Sequence, residues 1–150
     1  MREGPGVWPP PPLVVGGLLL LAYLAGWALP LPVHRPLAGA GITLAILSLA
    51  WGLWALAVMR RAGTDPRPFT PDTQFVGTGP FRFGRNPIYL GFLGIAAGLA
   101  LWWGQAWGWL AVLLAFLWLD RAAVRKEEAY LRGRFPASYP PYAAKVRRWV

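Results

Sequence analysis

From Ile88 to Leu119 the chain runs for 32 residues without a charged side chain. At 1.5 Å of rise per residue this is too much for one crossing of roughly 30 Å of hydrocarbon and too little for two generous ones. The run supplies its own break. "WWGQAWGW" at 102 to 109 sets Gly104, Gln105 and Gly108 among four tryptophans, a composition suited to a tight turn at a membrane interface. The region therefore reads as a helical hairpin with short arms, about 88–103 and 106–134, each borrowing length from its polar flank.

Two further uncharged runs precede it, Leu13 to Leu29 and Leu37 to Met59, and both approach or exceed the roughly 20 residues that a spanning helix needs. The sequence thus predicts an all-α integral membrane bundle of four transmembrane helices, about 13–29, 37–59, 88–103 and 106–134, in one domain over 1–150. A secretory signal is the competing reading of the first run, since Arg2 precedes a leucine-rich core. The run is long for that, "PPPP" at 9 to 12 interrupts the approach, and no clear small-residue cleavage site follows. With 56% hydrophobic and only 14% charged residues, the composition agrees with a membrane protein. Cysteine is absent, which excludes disulfides, thiolate metal sites and a cysteine nucleophile.

The formal charge of +9 could point to nucleic acid, but the basic residues are confined to the segments that flank the apolar runs. Under the hairpin reading 14 of the 15 lysines and arginines fall on one side, and Arg35 stands alone on the other. The positive-inside rule then puts both termini and the long loop 60–87 in the cytoplasm. That loop, broken by "DPRPFTPD", is expected to be irregular with at most a short helix. Past Leu119 the pattern "DRAAVRKEEAYLRGRF" extends the fourth helix as a cytoplasmic amphipathic segment to about 134. Pro136, Pro140 and Pro141 then end regular helix in the tail 135–150.

The outer face is nearly bare of polar groups, so a ligand site is expected at the cytoplasmic mouth of the hairpin. Topology alone brings Arg85, Asn86 and Tyr89 at its start close to Asp120, Glu127 and Glu128 at its end. Each group has an ordinary structural explanation. Pro87 suits a first helical turn, Asn86 can cap it, Arg85 can snorkel to lipid phosphate, and Glu128 can pair with Arg125 and Arg132 on a solvated helix face. Their convergence beside apolar helices is the pattern of a binding site.

"GTGPFRFGRNPIYLG" from Gly77 resembles the "G-x-Y/F-x-x-x-R-H/N-P-x-Y-x-G" signature of the integral-membrane methyltransferases that include isoprenylcysteine carboxyl methyltransferase and the phospholipid methyltransferases. "EEAYLRGRFPASYPPYAAKV" is similar to the tail of that family, where an acidic pair and Leu are followed by Phe, a Tyr-x-x-Tyr and a closing Val. The resemblance covers about half the chain, from Gly77 to the C-terminus. It implies S-adenosylmethionine at the cytoplasmic mouth of the hairpin and a lipophilic acceptor, a lipid or small hydrophobic molecule, arriving from the bilayer.

Carried over by position, the cofactor-binding residues would be Arg85, Asn86, Pro87, Tyr89, Gly91, Glu127, Glu128, Tyr139 and Tyr142, with Leu131 and Phe135 completing the second motif. Arg85, Tyr89 and Glu127 would be the catalytic residues, with no metal and no nucleic acid involved. Two departures stand out: Asn86 occupies the place of the His of the prenylcysteine enzymes, and Pro136 that of the usual Gly. The residue types suit the cofactor, since Arg can clamp a carboxylate bidentately and Glu127 or Glu128 can meet an amine or ribose hydroxyls. "GTG" at 77 to 79 reads as a turn rather than a cofactor loop.

The residues suggest a prokaryotic inner-membrane protein, whose acceptor could be a phospholipid amine, a small thiol or a prenylcysteine carboxylate. Two other classes stay open: an NADPH-dependent membrane reductase of related fold, although no phosphate-cradling loop is visible, and a non-enzymatic helical bundle. His34, the one histidine, lies in the outer loop and reads as an interfacial residue. Gly39, Gly41 and Gly52 permit close helix packing, within or between chains.

Overall fold

The computed structural model describes residues 4–65, 67 and 71–150. Arg2, counted above on the cytoplasmic side, and Pro66, Pro68, Phe69 and Thr70 of the broken loop lie outside the described residues. The described chain is helical: α1 (Pro11–Ala28), α2 (Ala38–Arg61), a 3-10 turn (Gly79–Arg82), α3 (Pro87–Trp103), α4 (Ala106–Trp118), a π-helical turn (Leu119–Val124), α5 (Arg125–Arg134) and α6 (Tyr139–Lys145). From α4 to α5 the helix is continuous over 29 residues. It, α1 and α2 are the three helices long and apolar enough to cross a membrane, while α3, with 17 residues, is a shorter apolar helix.

The hairpin turns at Gly104, which adopts the left-handed conformation at φ +66°. A Cβ there would stand 2.6 Å from the His34 carbonyl, so both conformation and space require glycine. Gly108, assigned to the turn from sequence, instead lies within α4, where its missing side chain lets α4 approach Ala100 of α3. The connection between α1 and α2 is stitched to this turn. Val33 donates to the Gly104 carbonyl at 2.9 Å, Gln105 accepts from the Leu31 amide at 2.7 Å, and Leu37 donates to Leu101 at 3.0 Å. His34 sits at the same end and accepts from the Trp109 indole at 3.1 Å.

α2 and α3 meet along a seam of small residues. A Cβ on Gly98 would lie 2.5 Å from the Gly41 carbonyl and 2.9 Å from the Ala45 amide, while one on Gly91 would lie 3.0 Å from the Ser48 carbonyl. In lipid, apolar burial offers little between helices, so this backbone-to-backbone approach gains dispersion and weak Cα–H···O contacts instead. Gly41 and Gly52 thus work within the chain, whereas Gly39 has nothing within 4 Å. α1 packs on α4, and the buried core gathers Val7, Val15, Tyr89, Ala96, Ala115, Leu119, Ala123 and Val124.

Two local expectations are corrected at the other end of the bundle, and a third is met. The fourth helix is not uniformly α-helical, because a π-turn intervenes at 119–124 and shifts every following side chain around the axis. Pro140 and Pro141 do not end helix; they occupy the first turn of α6, where a missing N–H costs nothing. The polar loop is mostly irregular, with its 3-10 turn at Gly79–Arg82. Thr64 pins it by accepting from Gln74 N at 3.1 Å and donating to Gln74 O at 3.0 Å.

Candidate functional site

A cavity of about 520 Å³ opens where the starts of α1 and α3, the end of α2, the polar loop, α5 and α6 converge. Arg85, Asn86, Pro87, Tyr89, Glu127, Glu128, Tyr139 and Tyr142 all line it, although they come from three separate parts of the chain. The reason is local. Pro87 starts α3, so the three residues at its threshold stay at the mouth, and the continuous α4–α5 rod carries Glu127 and Glu128 back to the same end. Gly91 is not among the lining residues; it faces Gly52 and Ser48 of α2 and serves the seam. Gly77 packs under the Tyr142 ring and Gly79 against Val58, so "GTG" is a turn outside the cavity wall.

The polar contacts differ from the simple explanations available to the sequence. Arg85 is nearly buried and pairs with Glu128 at 3.1 Å, so it does not reach lipid phosphate. Glu128 does not pair with Arg125 or Arg132. Its second partner is Arg148, whose guanidinium forks onto both carboxylate oxygens at 3.0 and 2.9 Å. Asn86 precedes α3 without capping it through its side chain, which donates to the Arg148 carbonyl at 2.9 Å. Arg85 Nε is buried and has no hydrogen-bond partner.

Glu127 is in the opposite situation. It accepts a short hydrogen bond from the Tyr89 hydroxyl, and among the described residues no cation pairs with it. Among the described residues the cavity therefore has two poles: a nearly buried guanidinium with one unsatisfied N–H donor, and a carboxylate without a positive partner. Burial carries a cost for each unless a complementary group arrives. Between and beside them lie apolar groups, Leu56 and Met59 from α2, Ile88 and Phe92 from α3, and Pro10 to Pro12 from α1.

Several wall residues carried no readable signal in the sequence. Asp72 lines the cavity, its amide donating to the Tyr130 hydroxyl at 3.0 Å and its carbonyl accepting from Arg134 at 3.2 Å. Burial pushes its carboxyl up to about 6, against the opposing pull of Arg134. Burial also raises the phenols of Tyr139, with Glu128 adding to it, and of Tyr142, with Tyr139 adding to it, so both rings stay neutral. Tyr142 donates to the Phe81 carbonyl at 2.6 Å and packs with Tyr139 and Phe135 around Phe75. A loop residue such as Asp72 is linked to the site only by the fold. Arg148 stands in "VRRWV", where the sequence alone distinguishes it in no way from the other basic residues that set topology.

The donor set can be tested against a sulfonium nucleoside that also carries an amino-acid zwitterion. Such a molecule needs a cation for its carboxylate, a carboxylate for its positive groups, aromatic or apolar surface for its base, and hydroxyl or amide groups for its ribose. Arg85 Nε, Glu127, the Phe75–Tyr139–Tyr142 cluster and the side chains of Thr64, Gln74 and Asn86 supply these types in one cavity. The volume falls within the usual range for small-molecule sites, about 300–1,000 Å³. The residues fit the group.

Residues 37–138 match the model of the family described as phospholipid methyltransferase, a span that takes in α2, the hairpin, α5 and the Arg85 segment. An uncharacterized protein of Haemophilus influenzae is 36% identical over 63 residues, which cover 42% of this chain and 100% of that protein. No solved structure matches.

Proposed function

The chain belongs to the phospholipid methyltransferase family, and from that premise we propose that it is a membrane methyltransferase that uses S-adenosylmethionine to methylate a lipophilic acceptor at the cytoplasmic face. The observation that carries the reading is the pair of poles in one cavity, Glu127 without a cation and Arg85 Nε without an acceptor among the described residues. A zwitterionic, cationic cofactor would satisfy both.

When bound, S-adenosylmethionine supplies an electrophilic methyl group on a positively charged sulfur. The chain's own part is alignment and exclusion of water. Arg85 would hold the carboxylate through Nε while its Nη2 stays on Glu128, and Glu127 would offer negative charge toward the cationic groups. Tyr89, hydrogen-bonded to Glu127, fixes that carboxylate's orientation. Leu56, Met59, Ile88 and Phe92 continue the cavity wall from the polar mouth along α2 and α3, which supports lateral arrival of an acceptor dissolved in the bilayer. The acceptor's apolar part would then lie against α2 and α3, with its nucleophilic atom toward Tyr89.

Calorimetry with S-adenosylhomocysteine tests the reading. Wild type should bind it and should not bind NADPH, and either Arg85→Ala or Glu127→Ala should abolish binding. Both variants leave Glu128 paired with Arg148, so that ion pair is preserved. Unchanged affinity in both would sink the assignment.

A further inference from the structure

Residues 146–150 touch the site without lining its cavity. They leave α6 and lie across the threshold of α3, where Arg85 N donates to the Arg147 carbonyl at 3.0 Å and Asn86 Nδ2 to the Arg148 carbonyl at 2.9 Å. The contact is backbone on backbone: a Cβ on Gly84 would stand 1.9 Å from the Trp149 carbonyl oxygen. Trp149 also donates its indole N–H to Asp120 at 3.0 Å and stacks at 5.3 Å on Phe116, anchoring the tail to the π-turn. Between these anchors Arg148 spans two carboxylates. It forks onto Glu128 and reaches Asp120 at 3.4 Å.

The charge balance of this cluster decides what Arg85 can do. Arg85, Arg148, Glu128 and Asp120 form a set of two cations and two anions, and Glu128 Oε1 is shared by both guanidiniums. Arg148 takes up both oxygens of Glu128, while Arg85 meets Glu128 through Nη2 alone in an ion pair and its Nε has no hydrogen-bond partner among the described residues. Without Arg148 the cluster would carry an excess negative charge, and Glu128 would have both oxygens open to a fork-to-fork pair with Arg85, the geometry guanidinium and carboxylate prefer. We propose that Arg148 is a positioning residue that keeps the Arg85 guanidinium available for a ligand carboxylate.

This rests on the cofactor reading above, and the test separates the two. Purified full-length protein is titrated with S-adenosylhomocysteine, which carries the carboxylate, and with 5′-methylthioadenosine, which lacks the amino-acid end. Arg148→Ala should weaken the first by at least about tenfold, the effect of losing one charge-assisted contact, and leave the second unchanged. Arg148→Lys, which keeps the charge but loses the fork, should fall between wild type and Arg148→Ala for the first ligand. It also decides the matter if the alanine variant does not fold. Equal weakening of both ligands would make the tail a purely structural staple, and unchanged affinity for S-adenosylhomocysteine would remove Arg148 from the site; either overturns the proposal. If wild type binds neither ligand, it is the cofactor reading itself that fails.

Discussion

Asp72 sits in the cavity wall with its carboxyl raised to about 6 by burial. A group whose folded value lies above its unfolded value favours the fold when protonated. Its contribution is therefore complete below the ordinary aspartate value near 3.8 and is lost as pH rises through about 6. Asp72→Asn should remove that slope, so its melting temperature in detergent should match wild type near pH 4 and exceed it at pH 7. A second residue-scale prediction concerns Gly84, whose added Cβ would collide with tail backbone rather than with a side chain that can rotate. Gly84→Ala should cost about 1–3 kcal/mol of stability and expose the Arg85 amide to faster hydrogen exchange, while amides in the middle of α2 keep their protection. At this scale the sequence revealed residue types better than partners. Arg85, Asn86, Glu127 and Glu128 could be singled out from the sequence, and they line one cavity, but the pairing of Glu128 with Arg148 could not, because helical spacing offered nearer arginines.

Among the elements, the α2–α3 seam and the free face of α1 give opposite expectations for the same substitution. Gly98→Ala would press a methyl group against the Gly41 carbonyl and the Ala45 amide, and should destabilise by about 1–3 kcal/mol. Gly16→Ala, in α1 with nothing within 4 Å, should stabilise by about 0.5–1 kcal/mol through the reduced entropy of the unfolded chain. Thermal unfolding of the two variants in the same detergent checks both signs. The hairpin was legible because Gly104 punctuates a charge-free run, and a left-handed cap leaves a mark in composition. The π-turn at 119–124 left none. There Asp120 accepts from the tail's Trp149 while Ala123 and Val124 enter the core, contacts that periodicity within one helix does not contain. The start of α6 differs from expectation for a related reason, since a proline stops a helix at one position and opens it at another.

For the whole molecule, the all-helical membrane class was readable from hydropathy, and two surfaces complete the picture. One end is closed by stitched connections carrying Arg35, while the other gathers the polar loop, α5, α6 and the cavity. If the proposed orientation holds, an accessibility label should react with a residue introduced at Ser138 only from the cytoplasmic side, and with one at Arg35 only from the outer side. Reaction of both from one side would contradict it. The most direct measurement is incubation of the purified protein with methyl-labelled S-adenosylmethionine and a bacterial lipid extract, followed by mass spectrometry of the organic phase. The account predicts label in a lipid-soluble product with wild type and none with Glu127→Ala. An organic phase without label from wild type that nevertheless binds S-adenosylhomocysteine would contradict a lipid-like acceptor, and equal label from both proteins would contradict the site.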